Sequence, residues 1–477
     1  MTTEQESPSR SHDLPGHPAF DSCGCSSESG SRGPRIVLLT PYNGGNLGDA
    51  VIQDSVIANL RLRLPDAQFS GVSLNSDNFI ARHGVEGFAL LETDSPFYRM
   101  AHGRVEDWRE DSGEPNDKGR LRSLVTSVPL IGNILKLIYG GVKRLRREIH
   151  HSIGAYRFLR TKDLLMVSGG GQLDEEWGGP WHHPYALFKW AVLARLVGIP
   201  YVVASVGACK AKSRTSRFFL SWALGMADYR SYRDKNSRDI AASLRASAAE
   251  DKIVPDLAFS LPSSELPPSA GIRSIAQGRP VVAIGPIAYV KPGNWPSENR
   301  ALYDRYVQQM ASVIATLLDR DYFILIVWSS LGDDESVIPE ILGQLSPASK
   351  EKLVRQLHIP AITAWKDLVA LLQDVDFLIA SRLHSTILGL ITQKPTIAIS
   401  FDPKVDWLMQ DFGQTDSLLQ IRDFRSEEVL QALDRLIVHR SSVVDHIIAC
   451  RQQVLATSAV QYDTLAELAA ASHGQRG

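Results

Sequence analysis

The sequence predicts an α/β fold with two domains, each built on a parallel β-sheet, that face each other across a cleft. Apolar runs that resemble buried strands alternate with amphipathic stretches at helical spacing, and this alternation is typical of parallel sheets. It stops at residues 263–278, a segment rich in proline and serine that we interpret as a linker, and then resumes. A chain of 477 residues also exceeds what one hydrophobic core usually supports.

The predicted N-terminal domain covers residues 35–262. It begins with a strand at 36–40 and a helix at 50–64, in which the apolar residues recur at helical spacing. The alternation continues with a helix at 184–197 and with strands at 164–168, 201–205 and 229–231. We therefore expect a chain of βα units in this half of the protein.

The predicted C-terminal domain covers residues 279–440 and repeats the same pattern. Its helices are represented by 301–318, and its strands are predicted at 281–284, 322–327, 357–359, 377–380 and 396–400. A C-terminal helix and tail follow at 441–477. Residues 1–34 are rich in Ser, Gly, Pro and Glu and have no apolar signal-peptide region, which predicts a disordered extension.

A basic helical insertion is predicted at about 91–150 in the N-terminal domain. Its most apolar part, 124–142, is interrupted by Pro129, Gly132 and Lys136, so it falls short of a membrane span. Basic residues flank this part at 120–147, and two interpretations stay open. The segment is either an interfacial helix that contacts anionic lipid, or a surface hairpin whose apolar side packs on the domain.

Charge and cysteine content exclude several classes of protein. The 51 basic residues are balanced by 53 acidic ones, whereas a nucleic-acid-binding protein needs a basic excess. The four cysteines form neither a disulfide framework nor a metal-ligand pattern. We therefore expect no nucleic-acid partner, no bound metal, and a reducing cytoplasm as the compartment, with contact at the inner face of the membrane if the basic segment is interfacial.

An anion site is predicted where two adjacent strands of the C-terminal domain end. Ser381, Arg382, His384 and Ser385 follow the apolar run 375–380 and open a helix-like stretch, where free N–H groups and the helix dipole favour negative charge. Lys404 follows the next strand and should reach the same edge of the sheet. Arg and Lys at such an edge suit a phosphate or carboxylate ligand.

The N-terminal domain offers a second set of candidates at its own strand ends. Asn46, Gly48 and Asp49 follow the first strand in a turn that is neither a dinucleotide fingerprint nor a P-loop. Asp49 is interpreted either as a ligand group or as an Asx cap of the next helix. A later glycine turn leads into a segment with aromatic and carboxylate side chains, which commonly bind sugars. We therefore predict a sugar-binding segment there, formed by Gly170, Gly171, Gln172, Asp174 and Trp177.

The order of these motifs resembles the polysaccharide pyruvyl transferase family over roughly residues 35–412. The resemblance rests on Ser381-Arg382-Leu383-His384 with Lys404, and on Asn46-Leu47-Gly48-Asp49, Gly169-Gly170-Gly171, Ser205-Val206-Gly207-Ala208, Tyr232-Arg233-Asp234 and Pro255-Asp256-Leu257-Ala258-Phe259. It implies two Rossmann-like domains in a glycosyltransferase-B-like fold. It also implies transfer of a pyruvyl group from phosphoenolpyruvate to a sugar of a cell-surface polysaccharide or its lipid-linked precursor, which forms a cyclic ketal.

The resemblance assigns a role to each candidate. Arg382 would hold the donor's phosphate or carboxylate bidentately and Lys404 would add a second charge. His384 would be the general acid or a phosphate ligand, and Asp49 would be the base for the sugar hydroxyl. No metal or organic cofactor is required. Two other functions stay open, namely a nucleotide-sugar glycosyltransferase of the same fold and a non-catalytic binding protein of polysaccharide assembly.

Overall fold

The structure is a computed structural model that describes residues 33–92, 129–176, 178–244, 251–293, 295 and 298–476, with only the backbone for 129–141, 143 and 144. The predicted disordered extension, except its last two residues, lies outside this part of the chain. So do residues 93–128 of the predicted insertion, and Trp177.

A seven-stranded parallel sheet forms the core of the N-terminal half, in the order β3-β2-β1-β4-β5-β6-β7. Its strands are β1 (Arg35–Leu39), β2 (Gln68–Ser73), β3 (Glu86–Ala89), β4 (Leu164–Ser168), β5 (Tyr201–Val206), β6 (Tyr229–Tyr232) and β7 (Lys252–Ile253). The sequence did not predict β2, β3 and β7. β2 includes a glycine and three polar residues, and β3 and β7 are short strands at the two edges of the sheet, so none shows a clear apolar run.

A six-stranded parallel sheet forms the core of the C-terminal half, in the order β10-β9-β8-β11-β12-β13. Its strands are β8 (Val281–Gly285), β9 (Phe323–Ile326), β10 (Leu357–His358), β11 (Phe377–Ala380), β12 (Thr396–Ser400) and β13 (Leu418–Gln420). The prediction of two parallel-sheet α/β domains is therefore confirmed.

Helices cover both sheets. They are α1 (Leu47–Arg63), α2 (Ser76–His83), α3 (Pro129–Leu159), α4 (His183–Val197), α5 (Arg214–Gly225), α6 (Lys235–Ala242), α7 (Ile272–Ala276), α8 (Arg300–Asp319), α9 (Ile338–Gly343), α10 (Pro347–Gln356), α11 (Trp365–Leu372), α12 (Leu383–Ile391), α13 (Pro403–Asp411), α14 (Ser426–Val438) and α15 (Arg440–Arg476). The segment predicted as a linker includes α7, whose Arg273 pairs with Asp376 at 2.6 Å. It is thus attached to the C-terminal sheet.

The long helix α15 returns from the C-terminal half to the N-terminal half. Gln461 is buried on it and accepts hydrogen bonds from the hydroxyls of Tyr229 and Ser231 on β6. Near it, Asp463 pairs with Arg63 of α1 at 2.6 Å. These contacts link the two halves through a single helix, because α15 also packs on α12 and α14.

The edges of the two sheets formed by the carboxyl ends of their strands lie opposite each other. In each sheet, successive strands are added first on one side of the first strand and then on its other side. The change falls between β1 and β4 in the N-terminal sheet and between β8 and β11 in the C-terminal sheet. Open α/β sheets bind ligands at the carboxyl ends of the strands at such a point. Backbone bonds across the cleft hold the two edges together: Leu47 N donates to Ser329 O at 2.9 Å and Leu331 N donates to Gly45 O at 2.8 Å.

Candidate active site

The points at which the strand order changes in the two sheets meet where Gly48 of α1 contacts His384 of α12. A Cβ atom placed on Gly48 would lie 1.8 Å from Cγ of the His384 ring. No residue with a side chain fits there unless the ring moves, so glycine allows the imidazole of one domain to rest on the backbone of the other. The predicted residues Gly48 and His384 are thus brought together.

Asp49 lies next to this contact. Burial raises the pKa of the Asp49 carboxyl, and the nearby His384 imidazole opposes that rise. The helix cap that we considered for Asp49 is made instead by Asn46, whose Oδ1 accepts a hydrogen bond from Gly48 N at 3.0 Å. Asn46 is one of the predicted candidates at this strand end, but the oxygen of its side-chain amide is engaged in the cap. Asp49 therefore remains as a carboxyl that can exchange a proton beside an imidazole.

The His384 ring has an unused nitrogen at this contact. Its Nε2 atom is buried and has no hydrogen-bond partner among the residues that the structure describes. A buried polar atom without a partner is costly, and a catalytic or ligand-binding role is one explanation for it. A ligand in the cleft would supply the partner.

Arg382 binds a carboxylate of its own domain. Its Nε atom lies 2.9 Å from Oδ2 of Asp334 and its Nη2 lies 2.8 Å from Oδ1, and the Asp334 side chain is fully buried. The bidentate grip predicted for a donor anion is therefore occupied by Asp334 in the structure. The pair fixes the end of β11 and the start of α12, which carries His384.

Ser381 and Ser385 are also used within the C-terminal domain. Both are buried, the Ser385 hydroxyl donates to Ser329 Oγ at 3.0 Å, and the Ser381 hydroxyl lies 3.4 Å from that of Tyr306. The structure therefore places neither hydroxyl in the cleft as a free ligand group, and both stabilise the strand-to-helix turn.

Lys404 reaches across the cleft from the start of α13. Its ammonium lies 3.6 Å from a carboxylate oxygen of Asp402 and 3.6 Å from where a Cβ atom on Gly171 would be. Burial lowers the pKa of Lys404, but the negative charges of Asp402, Cys209 and Asp174 together outweigh it, and the pKa is raised. Lys404 is therefore a permanent cation beside the glycine turn.

Arg233, from one of the motifs of the family resemblance, also lies at the site. It pairs with Asp256 at 3.3 Å and with Asp234 at 3.5 Å. It is also buried beneath the cleft, with its guanidinium packed on Gly207 and its Nη2 atom without a partner in the described residues. The signal in the sequence was that Gly207 and Arg233 follow adjacent strands, β5 and β6.

The residues of the predicted sugar-binding segment are not all at the cleft. Gln172 is fully buried and donates to Leu39 O at 3.1 Å and to Gly169 O at 2.8 Å, so it does not line the cleft as predicted. Gly170 adopts a φ of +72° and its carbonyl accepts from Gly207 N at 2.7 Å. Asp174 stays within electrostatic reach of Lys404.

A cavity of about 380 Å³ connects these cations to the C-terminal helix. Arg233 and Lys404 line it together with parts of α13 and α15. It is the size of a small-molecule site. Among the described residues, no group of three or more His, Cys, Asp or Glu side chains is placed to hold a metal ion.

Comparison with known proteins identifies the family of the chain. The polysaccharide pyruvyl transferase family model matches residues 46–403, which is most of the chain. This chain belongs to that family. Members of this family are transferases, so the chain is an enzyme of the transferase class. No curated protein matches it.

Solved structures show what the fold of this chain is similar to. UDP-GlcNAc 2-epimerase from Neisseria meningitidis, bound to UDP-GlcNAc, aligns with a TM-score of 0.53 and 9% identity over 90% of this chain and 99% of that chain. UDP-glucose:anthocyanidin 3-O-glucosyltransferase in complex with UDP gives a TM-score of 0.53 and 11% identity over 92% and 99%. At such identities the likeness concerns the fold alone, which is that of GT-B glycosyltransferases and epimerases.

Proposed function

We propose that the protein transfers the pyruvyl group of phosphoenolpyruvate to two hydroxyls of one sugar in a cell-surface polysaccharide or its lipid-linked precursor. The observation that carries this proposal is the buried, unpartnered Nε2 atom of His384 beside Asp49. Arg233 and Lys404 line the adjoining cavity and supply two positive charges. Phosphoenolpyruvate carries a phosphate and a carboxylate, so two cations and a proton donor match its chemistry.

The reaction needs one proton delivered and two removed. His384 protonates the methylene carbon of phosphoenolpyruvate, which leaves positive charge on C2. A sugar hydroxyl adds to C2 and gives its proton to Asp49. Phosphate then leaves with the C2–O bond electrons, a second hydroxyl adds and loses its proton to the departing phosphate, and the ketal closes. The products are the ketal and inorganic phosphate, and the scheme calls for no metal or organic cofactor.

The electrostatics favour this division of roles. Burial raises the pKa of Asp49, so the carboxyl takes up a proton more readily than an exposed aspartate does. Lys404 and Arg233 keep positive charge near the bound anion through its loss of phosphate. Arg382 then acts as a positioning residue, because its bond to Asp334 fixes the turn that carries His384.

The first test compares donor binding in two lysine variants. Lys404→Met should weaken phosphoenolpyruvate binding by about ten- to a hundredfold in calorimetry, because a charge-assisted hydrogen bond contributes about 1.5–3 kcal/mol. The control Lys352→Met removes an exposed lysine that pairs only with Asp319 in the described residues, and should bind like the wild type. Equal affinities for the two variants would remove Lys404 from the donor site.

Titration of the wild type with phosphoenolpyruvate and with UDP-sugars also distinguishes the proposed function from the two alternatives. A nucleotide-sugar glycosyltransferase would bind UDP-sugars and leave phosphoenolpyruvate unbound. A protein that only binds polysaccharide would bind neither. The structural neighbours share the fold with the first alternative but carry no information on the ligand of this chain, so the wild-type titration decides.

We also propose contact with an anionic membrane through α3. Its described part exposes Val142, Leu145, Ile149 and Ile153, and Arg146 and Arg147 lie between them. An exposed apolar row with interspersed cations suits a lipid interface. No helix in the described part of the chain is long and apolar enough to cross a bilayer. The basic residues of 120–128 in our prediction lie outside that part.

Liposome sedimentation tests the membrane contact. We expect the protein to pellet with anionic vesicles and to be released by salt, since charge attraction to lipid is screened. Leu145→Ser with Ile149→Ser should abolish pelleting, whereas Leu62→Ser, at an equally exposed position on α1, should not. Equal recovery on neutral vesicles, or no effect of the double variant, would favour the packed-hairpin interpretation.

A further inference from the structure

The cavity beside the proposed donor site is elongated along α13. Lys404, Trp407, Leu408 and Asp411 all line it, and their spacing places them on one face of the helix. α13 begins at the carboxyl end of β12, so Lys404 lies at the sheet edge and Asp411 lies about 10 Å further out. The cavity therefore has an inner cationic end and an outer end of different chemistry.

The outer end is aromatic and acidic. Trp407 is half-buried there, and Phe412 forms an apolar floor by stacking on Phe259 at 4.9 Å. Asp411 stands at the mouth, and burial together with the negative charge of Asp234 raises its pKa. Asp234 caps α6 through Ser237. Asp256 also lines the cavity but pairs with Arg233, which leaves Asp411 as the lining carboxyl available to a ligand.

The opposite wall belongs to α15. Cys450, Gln453, Val454 and Thr457 line the cavity, again at the spacing of one helix face. The family match ends at residue 403, so Trp407, Asp411 and this whole wall lie beyond it. Lys404 of the inner end also lies just beyond the match, whereas Arg233 lies within it. The outer end is formed between α13 and α15.

We propose that the outer end of this cavity binds the acceptor sugar, with a pyranose face on Trp407 and hydroxyls on Asp411. This inference rests on the proposed function and moves the acceptor away from the segment around Gln172. An aromatic ring offers a flat apolar surface to the C–H groups of a sugar, and a carboxylate accepts from its hydroxyls. A sugar held there lies alongside Lys404, and its inward hydroxyls face the donor.

Ligand-observed NMR tests the assignment. Methyl glycosides of glucose, galactose, N-acetylglucosamine and N-acetylmannosamine are each mixed with the protein and phosphoenolpyruvate, and saturation transfer to the sugar is measured. We expect transfer to at least one glycoside, at least tenfold weaker binding of it in Trp407→Ala, and its loss in Thr457→Trp. The second variant fills the mouth from an exposed position on α15 and leaves Trp407 in place.

Controls keep this test separate from the proposed function. Trp181→Ala removes a tryptophan that is 66% exposed and does not line the cavity, and should bind sugar like the wild type. Phosphoenolpyruvate affinity should be unchanged in all three variants. No transfer to any glycoside, or transfer retained in both cavity variants, would overturn the acceptor assignment. Failure of the wild type to bind phosphoenolpyruvate would instead overturn the proposed donor.

Discussion

Gly48→Ala should lower turnover by about a hundredfold or more while leaving the protein folded. The added methyl group would lie 1.8 Å from Cγ of His384, so the imidazole must shift by more than an ångström. A misplacement of that size in a catalytic group costs roughly two orders of magnitude in rate. Turnover is measured as phosphate release from phosphoenolpyruvate, with the glycoside that binds most tightly in the NMR experiment as acceptor.

Gly45→Ala is the matched control. It lies in the same turn, but a Cβ atom there would be 3.5 Å from its nearest neighbour, the side chain of Asn43, which is ordinary van der Waals contact. Thermal unfolding should change little in Gly45→Ala and modestly in Gly48→Ala, since overpacking costs about 1–3 kcal/mol. Wild-type turnover in Gly48→Ala would show that the position of the His384 ring does not limit the reaction.

The sequence predicted the site where backbone topology alone determines position. His384 and Lys404 follow strands that turn out to be adjacent and parallel, β11 and β12, so their common sheet edge followed from the alternation of strands and helices. Gly48 and Asp49 were found in the same way after β1. The meeting of Gly48 with His384 depends on how two separate sheets dock, and no local pattern encodes that contact.

The partners of polar side chains were less predictable. Arg382 was expected to grip a ligand, but the partner of its guanidinium is Asp334, which is 48 residues away in sequence and buried within the same domain. Gln172 was expected to bind a ligand, but its side chain is buried and donates hydrogen bonds to the backbone carbonyls of Leu39 and Gly169. Arg233 belongs to a motif of the resemblance, but only the structure shows that it packs on Gly207 and that its Nη2 atom has no partner among the described residues. Long-range hydrogen bonds decide each of these cases.

The cavity proposed to bind the acceptor was even less predictable from the sequence. The predicted segment followed a glycine turn that does reach Lys404, but the cavity itself is completed by α13 and α15. α15 follows every other element of the site in sequence, and its position depends on packing against α12 and α14 and on its return to the N-terminal half. A helix whose contribution depends on such a return carries no recognisable motif of its own.

His384→Gln should separate binding from chemistry. Glutamine can still donate a hydrogen bond from its amide, so phosphoenolpyruvate affinity should stay within a few-fold of the wild type in calorimetry. An amide cannot deliver a proton to the methylene carbon, so turnover should fall by roughly a hundredfold or more, the usual scale for the loss of general acid catalysis. His358→Gln is the control, because His358 lies on the edge strand β10, three strands from β11 in the same sheet.

The pattern of the two losses identifies the role of the imidazole. If affinity and turnover decline in equal proportion, His384 stabilises the donor in the ground state as much as in the transition state, and it is a phosphate ligand. In that case the proton must come from another cleft residue, and Asp49 is the first candidate, because burial raises its pKa and favours its protonated form. Asp49→Asn would then remove turnover more completely than His384→Gln, whereas under the proposed mechanism both variants should lose turnover and keep the donor bound.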